Sequence, residues 1–182
     1  MTPATWTEDR RAPEFESATR VAVVAALSAT TMLFASLVSA YLVRRSFPDW
    51  RPVSATWPLA LLASALASSF GVEVASRAEE GWRRLGLIGL GLGSGLYLLG
   101  VIAVIVSVVS EPFGLATPFN AFVFLLLGLH AAHAIAGGAF SGWILRAGSH
   151  PASESGFLLA RLVTHFLTVL LCAILFLLFV LR

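Results

Sequence analysis

The chain reads most directly through the places where charge is missing. Val21 to Val43 runs uncharged between Arg20 and Arg44. Pro52 to Ser76 lies between Arg51 and Arg77 with Glu73 as its only charge, and Leu85 to Ser110 is uncharged and rich in glycine. Pro112 to Leu145 is too long for a single crossing, and Pro118 sets a helix start near Phe119, because proline suits the first helical turn. Leu162 to Leu181 sits between Arg161 and Arg182. About 20 apolar residues, rising ~1.5 Å each, cover the ~30 Å hydrocarbon core of a bilayer. Hydrocarbon offers the backbone no hydrogen bonds, so each stretch is predicted to be a helix. The pattern predicts an all-α integral membrane bundle of five transmembrane helices, with spans at about 21–43, 57–76, 85–109, 119–145 and 160–181. A cytoplasmic leader is expected over residues 1–19.

That leader carries Glu8, Asp9, Glu14 and Glu16 ahead of a long apolar run. A secretory signal has a plainly positive start and a short core, so this segment reads as retained. The connections Ser46 to Thr56, Ser110 to Pro118 and Ala147 to Gly156 are short and polar, and none holds a folded domain. No internal repeat is evident. Function is therefore expected inside the membrane or through partners.

Composition sharpens the class. Of 182 residues 58% are hydrophobic and 12% charged, against roughly a quarter charged in soluble domains. That excludes a disordered chain and argues strongly against a water-soluble globule. All 12 basic residues are arginine; no basic stripe interleaves with aromatics, so no nucleic acid is expected as a partner. Cys172 stands alone and forms no internal disulfide. Arginine also sets the expected orientation. Arg10, Arg11, Arg20, Arg77, Arg83, Arg84, Arg146 and Arg161 fall on one side, against Arg44, Arg45, Arg51 and Arg182 on the other. The richer side is cytoplasmic, which puts the N-terminus inside and the C-terminus outside. Trp50 and Trp57 suit an outer aromatic belt, Trp82 and Trp143 an inner one.

Ionisable groups within spans are costly and mark functional candidates. Glu73, His130, His133 and His165 are the four here. His130 and His133, three residues apart, share a helix face. With His165 they form either a haem or metal ligand set or, the reading favoured here, hydrogen bonds to neighbouring helices and lipid headgroups. Glu73 precedes Arg77 by one turn in the favourable acid-before-base order, with a proton-handling carboxylate as the competing reading. Gly86, Gly89, Gly91, Gly93, Gly95 and Gly100 lack dinucleotide-motif spacing. They are expected to let helices approach closely, as are Gly137, Gly138, Gly142 and the small residues of Ser64 to Ser69. No nucleophile constellation appears, and nothing shows the broken, repeated helices of a transporter.

Four segments in order then carry a resemblance. MLFASLVSAYLVRR (Met32 to Arg45), followed by Pro48-Asp49-Trp50, resembles a helix of subunit III of haem–copper terminal oxidases, the cytochrome c oxidase type. GVEVASRA (Gly71 to Ala78) is similar to the Glu-containing close of that family's next helix. FNAFVFLLLGLHAAHAIAGG (Phe119 to Gly138) resembles its aromatic-rich helix with a G-x-H-x-x-H core at Gly128, His130 and His133. Thr164-His165-Phe166 resembles its His-Phe near the inner surface. Larger members have seven helices, of which this chain resembles the last five. It departs from them at Thr30 and Thr31, along Tyr97 to Val104, and at Thr168, where polar or acidic residues are usual.

The resemblance implies a non-catalytic subunit of a respiratory cytochrome c or quinol oxidase in the bacterial cytoplasmic membrane. Such a subunit packs on its partners, subunits I and II, holds phospholipid between its helices and supports proton uptake. Haem and copper are then expected in those partner subunits and no cofactor, metal or soluble substrate in this chain. Glu73, His130, His133, His165 and Arg161 become lipid-binding or inter-helix polar contacts. An accessory subunit of a nitric oxide reductase-type complex is the related alternative, and a small membrane b-type cytochrome the unrelated one.

Overall fold

A computed structural model describes residues 11–50, 57–77, 79–111, 114–147 and 154–180. Residues 1–10 of the expected leader, 51–56 before the second span, and Leu181 and Arg182 lie outside the described residues. Five α-helices and no strand occur among those described: α1 (Arg11–Arg44), α2 (Trp57–Arg77), α3 (Glu80–Ser110), α4 (Pro118–Ala147) and α5 (Glu154–Phe179). All five contain a window long and apolar enough to cross a membrane. The chain is a multi-pass membrane protein built as an all-α bundle.

Several helices extend past the uncharged stretches. α1 begins at Arg11, well before Val21, and α3 at Glu80, before Leu85. Headgroup-level charge does not end a helix whose backbone bonds continue. Glu79, the residue before α3, places a carboxylate beside the positive end of the helix dipole, and its carbonyl accepts the amide of Arg83 at 2.8 Å. Between α3 and α4 a 3₁₀ turn over Gly114–Ala116 needs a positive φ (38°) at Gly114, which glycine adopts without steric cost. Asn120 Nδ2 ties this turn down by donating to Glu111 Oε2 at 2.9 Å and to the Gly114 carbonyl at 3.1 Å.

The α2–α3 hairpin is the tightest pairing. A Cβ on Gly86 would fall 2.7 Å from the Gly71 carbonyl oxygen, and one on Gly93 would fall 2.7 Å from the Ser68 amide. These backbones are in direct contact, which only glycine permits. Gly137 similarly receives Val163 of α5. The expectation of close packing fails at Gly91, Gly95, Gly138 and Gly142, where a Cβ would meet nothing within 4 Å. Gly91, Gly138 and Gly142 border the cavity between α3 and α4, a distinction that composition cannot make.

α2 and α4 pack on α5, and α1 lies across α4 and α5. α1 is anchored by Phe34 and Tyr41, both fully buried, and the Tyr41 hydroxyl donates to the Leu177 carbonyl at 3.1 Å. After α1, Arg44 grips Asp49 through a two-pronged ion pair, one prong at 2.6 Å. That closes the turn and returns Trp50 edge-on against Tyr41 and Phe119, 5.0 and 5.5 Å between ring centres. Trp57 meets Phe179 in the same cluster at 4.9 Å. Trp50 and Trp57 are thus part of the packing at their end of the bundle, whereas Trp82 and Trp143 stand exposed at the other. The outer faces carry Leu92, Leu96, Leu99, Val106, Ile135 and Val169, all more than half exposed. So large an apolar surface is unsuited to water and suited to lipid.

Candidate functional site

Three polar centres lie within the bundle. The first joins α2 to α5. Glu73 sits one turn from the end of α2, and Arg161 and His165, four apart, present one face of α5 toward it. Glu73 Oε1 accepts from Arg161 Nε at 2.9 Å and from His165 Nε2 at 2.7 Å, with Arg161 Nη2 also 2.8 Å away. Arg77 Nε approaches Oε2 to 2.8 Å without hydrogen-bond alignment. The four side chains are part-exposed, from 25% for Glu73 to 71% for Arg77. A carboxylate of α2 shared by Arg161 and His165 of α5 crosslinks the two helices near one end of the bundle.

The second centre lies deeper. His130 is 2% exposed, and its Nε2 stands 2.8 Å from the Leu167 carbonyl of α5. A carbonyl only accepts, so Nε2 carries the proton and Nδ1 is the acceptor. The Tyr97 hydroxyl of α3 therefore donates to Nδ1. One imidazole thus ties α3, α4 and α5 together with both nitrogens engaged. The third centre is His133, whose Nδ1 is bonded to the Leu129 carbonyl of its own helix at 2.8 Å. His130 and His133 both meet Phe34 of α1 edge-on, at 6.5 and 5.8 Å between ring centres.

Hydroxyl pairs fill the space between the first two centres. Ser69 and Thr168 are 2.7 Å apart across α2 and α5, and Ser68 and Ser94 are 3.3 Å apart across α2 and α3. Thr168 has donated to the Thr164 carbonyl, so Ser69 is the donor in its pair. A half-open cavity of about 510 Å3 lies between α3 and α4, floored by α2 and α5, with Tyr97 and His130 in its wall.

The sequence-predicted residues fall into separate groups. Glu73, Arg161 and His165 come together; His130 and His133 share the Phe34 contact; His165 takes Glu73 and not a second histidine as its partner. Among the described residues no three His, Cys, Asp or Glu side chains converge as metal ligands. Sequence reasoning missed Tyr97, the Ser69–Thr168 pair and the Leu167 carbonyl. Tyr97 alone gave a signal, as the one aromatic hydroxyl in a glycine-rich span. Compared with known proteins, the chain matches no protein-family model and no curated sequence.

Proposed function

We propose that this chain is a non-catalytic, subunit III-like component of a respiratory haem–copper oxidase. It lies in the bacterial cytoplasmic membrane with its N-terminus inside, partnered by oxidase subunits I and II and by membrane lipid. The observation carrying this reading is the Glu73–Arg161–His165 contact. The two segments that most resemble the family near one membrane surface, GVEVASRA and Thr164-His165-Phe166, lie about ninety positions apart in sequence, and here they meet in one hydrogen-bonded centre. Their joint presence then has a physical reason: each supplies half of a crosslink between α2 and α5.

The chemistry of the interior fits a scaffold. In the His130 and Glu73 centres Tyr97, His130, Glu73, Arg161 and His165 each bond to another helix, and small residues seat the backbones of α2 and α3. Haem ligation by His130 would require one of its two helix-crossing bonds to break. Purifying the tagged chain from its native membrane in mild detergent tests the reading. Subunits I and II and their haem bands are expected to co-purify. Recovery of the chain with no haem-bearing partner would overturn it, as would a Soret band that stays with the separated chain and disappears in His133→Ala.

A further inference from the structure

His133 holds one nitrogen that the bundle does not use. Its Nδ1 stands 2.8 Å from the Leu129 carbonyl, which only accepts, so Nδ1 carries the proton of the neutral ring and Nε2 keeps a lone pair. Among the described residues nothing donates to that lone pair. His133 is half-buried, and Nε2 is not sealed inside the bundle. His130, three residues earlier, has both its nitrogens engaged.

The depth of this nitrogen decides what can reach it. His133 lies 15 residues from Pro118 and 14 from Ala147, in the middle of α4. At ~1.5 Å per residue each end is about 21–22 Å away along the axis, which puts headgroups and bulk water out of reach. Acyl chains offer no donor, and an unsatisfied polar atom in hydrocarbon is costly. The missing donor therefore comes from protein.

A second copy of the chain has none to spare at that level. Copies related by an axis along the membrane normal keep every residue at its own depth. On α1 the level of His133 is marked by Phe34, which meets its ring edge-on. The exposed hydroxyls nearest to it, Thr31 and Ser36, donate to carbonyls of their own helix. Ser28 lies six residues from Phe34, about 9 Å along the axis, beyond hydrogen-bond reach. A charged donor from elsewhere would be expensive at this depth. An Asn or Gln amide, or a Trp indole, brings an uncharged N–H. Beside His133, Ala132 and Ala136 are exposed, and residues this small let the backbone of another helix come close.

We infer that the α4 face at Ala132, His133 and Ala136, beside Phe34 of α1, docks a transmembrane helix of another protein whose amide or indole N–H donates to His133 Nε2 at mid-membrane. This docking face does not depend on the oxidase reading.

The test uses the full chain in phosphatidylcholine vesicles, labelled with a fluorescent donor at its single, exposed cysteine, Cys172. The probe is an acceptor-labelled leucine–alanine transmembrane peptide with one central asparagine, and the control is the same peptide with leucine there. Förster transfer at low peptide-to-lipid ratio is expected to show the asparagine peptide associating about three- to tenfold more tightly than the control. His133→Phe keeps an aromatic ring beside Phe34 and is expected to remove that excess. Ala136→Leu, whose side chain stands on the outer face and therefore does not disturb the fold, is expected to weaken association with the asparagine peptide. Equal association of the two peptides would overturn the proposal, as would an excess that survives His133→Phe or Ala136→Leu in a chain still helical by circular dichroism. Transfer between two labelled copies of the chain that falls in His133→Phe would assign the face to a second copy and overturn it too. None of these results bears on whether oxidase subunits co-purify with the chain, so the two readings fail separately.

Discussion

Replacing Glu73 by glutamine removes the charge that α5 grips while keeping the side chain's size. The magnitude follows from the surroundings. Glu73 accepts from Arg161 and His165 at 2.9 and 2.7 Å, but the three side chains are 25–40% exposed. A fully buried pair that loses one partner costs about 3–5 kcal/mol. Exposed pairs contribute about 0–1 kcal/mol, and hydrogen bonds between membrane helices average about 0.6 kcal/mol. Water and headgroups screen this cluster, so the lower scale applies, and the whole set amounts to about 1–2 kcal/mol. Reversible unfolding of the detergent-solubilised chain, read by far-UV circular dichroism, gives the cost of Glu73→Gln. A double-mutant cycle with His165→Ala isolates the contact, with an expected coupling of about 0.5–1 kcal/mol. Arg77→Ala in the same cycle is expected to couple less, because it reaches Oε2 without aligned geometry and is 71% exposed. A coupling near zero for His165, or one larger for Arg77 than for His165, would refute the assignment of this centre as an α2–α5 crosslink.

Other consequences concern packing and the α1 turn. Gly86→Leu drives a side chain into the α2 backbone and is expected to disrupt the α2–α3 pairing, by more than about 3 kcal/mol or by loss of folded protein; Gly95→Leu, facing open space, changes stability by under about 0.5 kcal/mol in the same unfolding assay. Tyr97→Phe leaves His130 Nδ1 without its donor and is expected to cost about 0.5–2 kcal/mol by chemical denaturation, with no change in any pigment absorbance. The Arg44 hydrogen bond holds the Asp49 carboxyl below its usual range, so its contribution is present above the ordinary aspartate pKa and is lost as pH falls through the lowered value. Asp49→Asn is expected to abolish that acid-dependent loosening of the turn, read from Trp50 fluorescence between pH 5 and pH 2, limits taken about the usual carboxyl range.

The five crossings were legible because hydrocarbon tolerates so little: a charge-free run of about 20 residues fits a bilayer and little else. Pro118 marked the start of α4 for a local reason, its missing amide. The helix ends were less legible, since α1 and α3 continue through charged residues that do not interrupt backbone bonding. Sequence spacing offered Glu73 its nearest candidate, Arg77, whereas its aligned hydrogen bonds go to Arg161 and His165 on another helix. Local order reports neighbours four residues apart but not the rotation of one helix against another. The same limit applies to glycine. Gly86 and Gly95 look alike in a glycine-rich span, yet one touches the α2 backbone and the other faces open space. His130 illustrates the remaining gap: its depth could be counted, but its tautomer is set by a carbonyl at Leu167 that no side-chain pattern reveals.

The central claim is that the chain contributes packing surface and not a redox centre to a larger membrane assembly. The most direct measurement is the iron and copper content and reduced-minus-oxidised spectrum of the complex purified through this chain, then of the chain after separation from its partners. The account predicts haem bands and both metals in the complex, and neither in the separated, still helical chain. Stoichiometric metal or a haem spectrum remaining with the chain, or a preparation that never contained them, would contradict it.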